Sequence, residues 1–406
     1  MLALLLLPLA LADEGEGNPW TLTPVMQVRP RFEVDTGRDG TAETQGWMVS
    51  QRSRLGVLAE APRWQAKVVA QDVRAWGTES DTVKNNPTLF DYNADNFDMH
   101  EAWARWTPNE RTSLTVGRQE ISVDEQRLVG PTDWAQQGRS FDAVRYQVKQ
   151  GALNAEIAGA LVTDGGAKDT DTYTVLVRGG WKQGKKQNGS MVDLISLTEV
   201  NQSTEQMRET AGLYAAGGSG KLSGRVEFYY QLGSLGDASY SAYMAGLQGT
   251  VALGGKAKPK LTLWFDNLSG DEDMSDDTLT AFQAGYATNH KFYGVMDVMC
   301  YTTACWVDGR GLRDGALKIE MVPAGQLKAN LDIHAFLEAA NQDDGRDSGM
   351  IGQEVDLWMA APVAKKGVIL NGGVSFLNRS ADELVAVPAG DVAPDMWGWL
   401  ALDVNL

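Results

Sequence analysis

The last residues of the chain alternate strictly between two kinds of side chain. One face carries Leu400, Leu402, Val404 and Leu406, and the other carries Trp399, Ala401, Asp403 and Asn405. Such alternation predicts a β-strand with one face against an apolar medium and the other against a polar one. Because the chain stops on this strand, its open edge needs a partner, and the simplest partner is the first strand. The ending therefore predicts a closed β-barrel.

The same alternation recurs along most of the chain. It is clearest in 221–231 and 327–338, and further strands of this kind are predicted near 28–35, 51–60, 64–71, 144–149, 153–162, 192–200 and 260–266. In a water-soluble sandwich the apolar face would form the core. In a transmembrane barrel the apolar face would meet lipid and the polar face would line the lumen.

Length and connections favour the transmembrane alternative. The 406 residues, divided into strands of about ten residues and their connections, give roughly 16–18 strands. The glycine-rich 254–259 predicts a tight turn, whereas 268–277 and 341–349 are long and acidic, as in extracellular loops. Tryptophans near strand ends suit interfacial girdles; they are Trp20, Trp47, Trp76, Trp106, Trp264, Trp358 and Trp397. The predicted fold class is all-β, a transmembrane antiparallel up-and-down β-barrel of the bacterial outer membrane.

Composition and the first residues limit the remaining possibilities. Residues 1–12 are apolar and end on Ala-Leu-Ala, which predicts a signal peptide with a truncated positive region and leaves 13–406 as one barrel domain. A disordered apolar stub is the alternative.

The net charge of -17 argues against nucleic acid as a partner. Cys300 and Cys305 allow one disulfide or two free thiols. Three scattered histidines give no pattern for a metal or cofactor.

Residues 99–145 carry the most specific pattern in the chain. It contains Gly117-Arg118-Gln119-Glu120, Arg127-Leu128-Val129-Gly130, Asp133-Trp134 and the run from Gly138 to Arg145. This stretch resembles the alginate-export family of outer-membrane porins. Segments 51–56, 71–77, 290–294, 311–314, 334–336 and 351–357 are similar to the family in the same order. The resemblance implies a monomeric channel for an anionic polysaccharide, with long loops that fold into the pore.

The strand phase predicts a row of cations in the lumen. Arg29 and Arg31, Arg52 and Arg54, and Arg145 alternate with apolar side chains on early strands. Arginine suits an acidic solute because its planar fork stays charged and binds carboxylates in a bidentate manner. The full predicted pore-lining set is Arg29, Arg31, Arg52, Arg54, Lys67, Arg74, Arg105, Arg118, Asp133, Arg139 and Arg145. Alternatively, these arginines pair with luminal acids such as Glu33, Asp35, Asp72 and Asp142 and stiffen the wall.

The assignment of three of these residues to the pore depends on the family resemblance. Arg118 follows Leu114 and Val116 onto the lipid side, so its luminal position would require a bulge or strand end near Gly117. Asp133 and Arg139 are expected at the narrow point of an inward loop. The alternative for them is a structural turn with Trp134 buried against the wall.

Other site types receive little support from the sequence. Asp271, Asp273, Asp276 and Asp277 form a weak Ca²⁺ candidate, because they lack the glycine and spacing of an EF-hand; a solvated loop is the alternative. No HExxH or strand-to-helix GxSxG motif occurs, so no enzyme is predicted. The sequence favours a channel for an acidic polymer or acidic solute in outer-membrane lipid and lipopolysaccharide. A porin for another solute, a non-conducting scaffold barrel and an additional periplasmic partner stay open.

Overall fold

The computed structural model describes residues 20–36, 46–76, 97–185, 188–299, 309–341, 349–364, 367–380 and 395–405. Within them, eighteen antiparallel strands form one closed barrel. A further two-residue strand lies in a loop and pairs in parallel with a barrel strand. The predicted fold class is confirmed, with a strand number at the upper end of the predicted range. The signal-peptide prediction and Cys300 and Cys305 lie outside the described residues.

The strands are numbered in chain order, and β14 is the short strand in the loop. They are β1 (Thr21–Asp35), β2 (Gly46–Ala61), β3 (Trp64–Ala75), β4 (Phe97–Asn109), β5 (Thr112–Gln119), β6 (Phe141–Gln150), β7 (Leu153–Thr163), β8 (Thr172–Lys185), β9 (Asn188–Asn201), β10 (Gln206–Ser219), β11 (Leu222–Leu235), β12 (Ala238–Ala252), β13 (Lys260–Leu268), β14 (Thr278–Leu279), β15 (Leu312–Ala324), β16 (Leu327–Leu337), β17 (Met350–Pro362), β18 (Val368–Arg379) and β19 (Asp395–Asn405).

The barrel closes where the C-terminal strand meets the N-terminal one. β1 and β19 pair antiparallel from Gln27 opposite Asn405 to Asp35 opposite Trp397. This is the closure that the alternating C-terminal residues predict. It removes the free sheet edges, whose unpaired amide and carbonyl groups would be costly within a bilayer.

Side chains alternate between the two faces of the wall as the strand phase requires. Leu194 is 63% exposed on the outer face, whereas its neighbour Asp193 is buried inside. Trp47 and Trp76 are exposed near the long-loop end of the barrel, as a girdle requires. The girdle prediction is wrong for Trp397, which is 1% exposed because it faces the packed lumen. Trp264 also faces inward, since it donates a hydrogen bond to the buried Asp266.

The two ends of the barrel differ in the length of their connections. Tight turns at 62–63, 110–111, 151–152, 220–221 and 325–326 lie at one end, and the connections 120–140, 164–171 and 269–311 start at the other. This asymmetry places the tight turns in the periplasm. The described residues include no helix that is long and apolar enough to cross a membrane.

We predict that a charge in the middle of the outer face destabilises the barrel more than one near its end. Leu194→Arg should lower the free energy of unfolding by about 2–4 kcal/mol, because the guanidinium would face the bilayer centre. Leu222→Arg is the matched control, since Leu222 is 65% exposed but begins β11 beside a periplasmic turn. Urea unfolding from lipid vesicles should show a loss of about 1 kcal/mol or less for this control. Equal losses would contradict the assignment of the outer face to lipid.

Candidate functional site

Two long connections fold into the barrel instead of standing clear of it. Loop A comprises residues 120–140, and loop B comprises the described residues 269–299. Loop A buries Ile121 and Leu128, and loop B buries Phe292 and Met296. Their apolar side chains supply much of the packed interior.

Backbone contacts join the two loops across the lumen. Val129 and Tyr286 form a parallel bridge, and the Gly130 amide donates to the Tyr286 carbonyl at 2.9 Å. The Arg139 guanidinium donates to the carbonyls of both Gly130 and Tyr286. The predicted narrow-point residue Arg139 thus ties one loop to the other. Together the loops form a partition inside the barrel.

Arg29 of β1 holds the tip of loop A. Its guanidinium donates to the backbone carbonyls of Asp133 (2.6 Å), Trp134 (3.0 Å) and Ala135 (2.8 Å), and to Oε1 of Gln136 (3.0 Å). Arg31 adds a hydrogen bond to the Trp134 carbonyl at 2.8 Å and pairs with Glu33. Because Arg29 lies near the middle of β1, loop A reaches well down the lumen.

Two arginines of β2 bind the Asp133 side chain. Its Oδ1 lies 2.9 Å from Nη1 of Arg52 and 3.3 Å from Nη1 of Arg54. Burial opposes the charge on Asp133, but the guanidinium groups of Arg52, Arg29 and Arg54 outweigh that effect and hold the pKa of this carboxyl below its usual value. The clamp is therefore retained in mildly acidic solution and is lost only as pH falls through that lowered pKa.

Arg74 and Arg118 do not line the lumen, which corrects two of the predicted positions. Arg74 pairs with Asp72 at 2.7 Å, and Arg118 pairs with Asp142 at 2.9 Å. All four side chains lie on the outer face near the long-loop end. β5 keeps a regular register through Gly117, so Arg118 follows Val116 outward and the expected bulge does not occur. Asp72 and Asp142 are therefore not luminal acids.

The remaining predicted cations lie on the wall formed by β3 to β7. Lys67 pairs with Glu101, and Arg145 forms a two-pronged pair with Glu156 at 2.8 and 3.0 Å. Arg105 differs from them, because it donates only to Thr115 and Gln65 and stacks over Trp103. It makes no ion pair with any residue that the structure describes. Its positive charge is thus available to a solute.

A buried ion network missed by the sequence reasoning anchors both loops to the opposite wall. Arg127 of loop A lies 2.9 Å from Glu227 of β11 and 2.8 Å from Asp266 of β13. Its guanidinium carbon lies 3.6 Å from the ring centroid of Phe292 in loop B. The only sequence signal of this arrangement is the stretch after residue 280, which is richer in apolar and aromatic residues than a solvated loop would be.

A cavity of about 440 Å³ remains between the partition and the strands β1 and β15 to β19. Trp134, Trp358 and Trp399 supply flat apolar surfaces, and Lys318, Asp332 and Asn371 supply polar groups. Trp134 stacks on His290 with ring centroids 4.2 Å apart. The volume falls within the roughly 300–1,000 Å³ of small-molecule sites. The cavity suits a ring-shaped polar solute.

The acidic loop does not form the weak Ca²⁺ candidate. Oδ1 and Oδ2 of Asp271 accept from the amides of Asp273 and Thr280, and Asp273 accepts from Ser275. Asp276 accepts from the Thr278 amide. The carboxylates are used in separate turns, and within the described ranges no cluster of His, Cys, Asp and Glu fits a metal ion. The solvated-loop alternative fits 272–277, which are exposed, whereas Asp271 is buried.

A closed eighteen-strand barrel with inward loops and a charged lumen defines an outer-membrane channel of the porin class. The chain belongs to the alginate export family, whose model matches residues 22–376. No curated protein matches the sequence. The barrel is similar to Acinetobacter baumannii OccAB4 (TM-score 0.63, 12% identity, 95% of this chain and 98% of that chain). It is also similar to Pseudomonas aeruginosa OccK5 (OpdH) (0.62, 11%, 95% and 98%) and to P. aeruginosa OpdK solved with vanillate (0.59, 9%, 95% and 98%). At identities this low, the similarity shows a shared fold alone.

We predict that Arg29→Ala releases the tip of loop A. The variant loses several hydrogen bonds from a charged donor, each worth about 1.5–3 kcal/mol, so amide protection in 133–136 should fall at least tenfold. Hydrogen exchange followed by mass spectrometry measures this directly. Arg74→Ala is the control, because it removes an exposed arginine from the outer face. Unchanged protection in Arg29→Ala would show that the loop is held by other contacts.

Proposed function

We propose that the channel passes acidic solutes by diffusion, with an alginate-like uronate as the representative solute. The observation that carries this proposal is Arg105, a luminal cation that makes no ion pair with any residue the structure describes. Thr115 separates Arg105 from Arg145 in one cross-strand row, so two guanidinium groups flank a neutral side chain. A carboxylate that enters this row would meet Arg105, which has no ion pair among the described residues, and Arg145, which is already paired with Glu156.

The cavity supports a solute built of sugar-like rings. Tryptophan faces bind the apolar faces of such rings, and Lys318, Asp332 and Asn371 offer partners for carboxylate and hydroxyl groups. The joined loops leave a compartment of small-molecule size, which favours a short acidic solute over a long polymer. An export role for a polymer would add a periplasmic partner that delivers it to the tight-turn end.

The proposed passage needs no cofactor and no catalytic step. One chain closes the barrel by itself, and we propose that the channel works as a monomer in outer-membrane lipid and lipopolysaccharide. A non-conducting scaffold is the second candidate. The loop partition and the many paired arginines favour it.

We predict that a short oligouronate blocks the single-channel current of the refolded protein in a saturable manner. Arg105→Ala should raise the concentration for half-maximal block about tenfold or more, because the solute loses a charged hydrogen-bond donor. Arg74→Ala, on the outer face, should leave the block unchanged. A neutral oligosaccharide of equal length should block weakly.

Equal block by the neutral and acidic oligosaccharides would contradict recognition of charge. An unchanged block in Arg105→Ala would remove the named residue from the proposal. Bilayers that stay silent with correctly folded barrels would favour the scaffold.

A further inference from the structure

A pair of acids on the inner face of β17 is not explained by solute passage. Glu354 and Asp356 follow each other on this face, and both are 0% exposed. Oε2 of Glu354 and both carboxyl oxygens of Asp356 have no hydrogen-bond partner among the described residues. Neither acid has an ion pair within those residues. Burying two ionised carboxyl groups costs free energy unless a cation or a proton neutralises their charge.

Loop B is the cover that keeps this pair dry. The Met296 amide donates to Oε1 of Glu354 at 2.9 Å. Gly294 adopts φ +82°, and a Cβ there would lie 2.5 Å from Oε2 of Glu354. The loop backbone thus wraps closely around the carboxyl group, and only glycine allows that approach. Without loop B, the inner face of β17 would open to the lumen.

The groups around the pair bring little compensating charge. On β16, His334 lies opposite Glu354 and Asp332 lies opposite Asp356. His334 is already bonded to Asp314 of β15 at 2.9 Å, and Lys318 lies 3.6 Å from Asp332. Ser375 lies opposite Asp356 on β18. Loop B contributes Asp297, which adds negative charge, and His290, which is bonded to Asp297, while Lys291 is paired with Glu125.

A single proton resolves the arrangement. The two carboxyl groups are next to each other on the inner face of β17, and both are acceptors when ionised. Protonation of one converts an unfavourable pair of acceptors into a donor and an acceptor. Loss of that proton leaves two buried like charges beside Asp297, and water is admitted if loop B lifts away. Docking of loop B and retention of the proton are therefore linked.

We propose that Glu354 and Asp356 form a proton-dependent latch that holds loop B against the wall and releases it when the pair ionises. Gly294 and Val295 line the cavity described above, so release would enlarge that compartment. The latch goes beyond the proposed function because it concerns the opening of the lumen and not the solute. It can be tested even if the barrel passes no acidic solute.

The test is amide hydrogen exchange of residues 293–299 in the refolded full chain between pH 5 and pH 9. Protection factors, corrected for the intrinsic rate at each pH, should fall by up to about tenfold per pH unit above the midpoint, the limit for one linked proton. Single-channel conductance should rise over the same range.

Two variants should move the latch in opposite directions. Glu354→Gln keeps an acceptor for the Met296 amide and offers an amide donor to Asp356, so loop B should stay protected at every pH. Gly294→Ala should leave it unprotected at every pH, because the added methyl group collides with Glu354. Heat-modifiable migration on gels verifies that both barrels are folded.

A control tests Asp124, another titratable group of the partition. Burial, only partly offset by Arg178, raises the pKa of Asp124 in loop A to about 7. Asp124→Asn should keep the pH response of residues 293–299. A response that survives Glu354→Gln, or that disappears in Asp124→Asn, would overturn the latch.

Discussion

Hydrogen bonding between the first and last strands is the constraint on which the rest of the structure depends. It satisfies the backbone groups of β1 and β19 within the bilayer. The same pairing brings together two strands that line the cavity. β1 contributes Arg29 and Arg31, and β19 contributes Trp399. Loop A is held by arginines of β1 and β2 and packs its Trp134 against Trp399. Barrel closure and the position of the partition are thus parts of one arrangement.

The luminal cations divide into two groups with different tasks. One group binds the loops and positions the partition. It comprises Arg29 and Arg139, which donate to loop carbonyl groups, and Arg52, which pairs with Asp133. Arg105, on the facing wall, donates to the neutral Thr115 and Gln65 and makes no ion pair with a described residue. A channel whose lumen is constricted by buried loops needs the loop-binding arginines, because the carbonyl groups of those loops must find hydrogen-bond donors. We propose that Arg105, which the loops do not use, acts on the solute.

The sequence predicted the fold well because side-chain alternation of period two is preserved wherever one face meets lipid. It placed Arg29, Arg52 and Arg145 on the inner face for that reason. The luminal prediction failed for Arg74, since near the long-loop end the outer face leaves the hydrocarbon region and accepts charged pairs. For Arg118 the strand phase was right, and the luminal position implied by the family resemblance was wrong. The inward course of loop B could not be predicted from periodicity. Its position depends on contacts distant in sequence, such as Arg127 with Phe292 and Met296 with Glu354.

We expect the lumen to favour anions because of Arg105, although the chain as a whole is acidic. The reversal potential of the wild-type channel in a KCl gradient tests it most directly, because it depends on the charges near the ion path and not on the net charge. We predict a reversal potential with the sign of a chloride-selective channel. A potential of the sign set by potassium would contradict it, since the acids of β15 to β19 would then control the lumen.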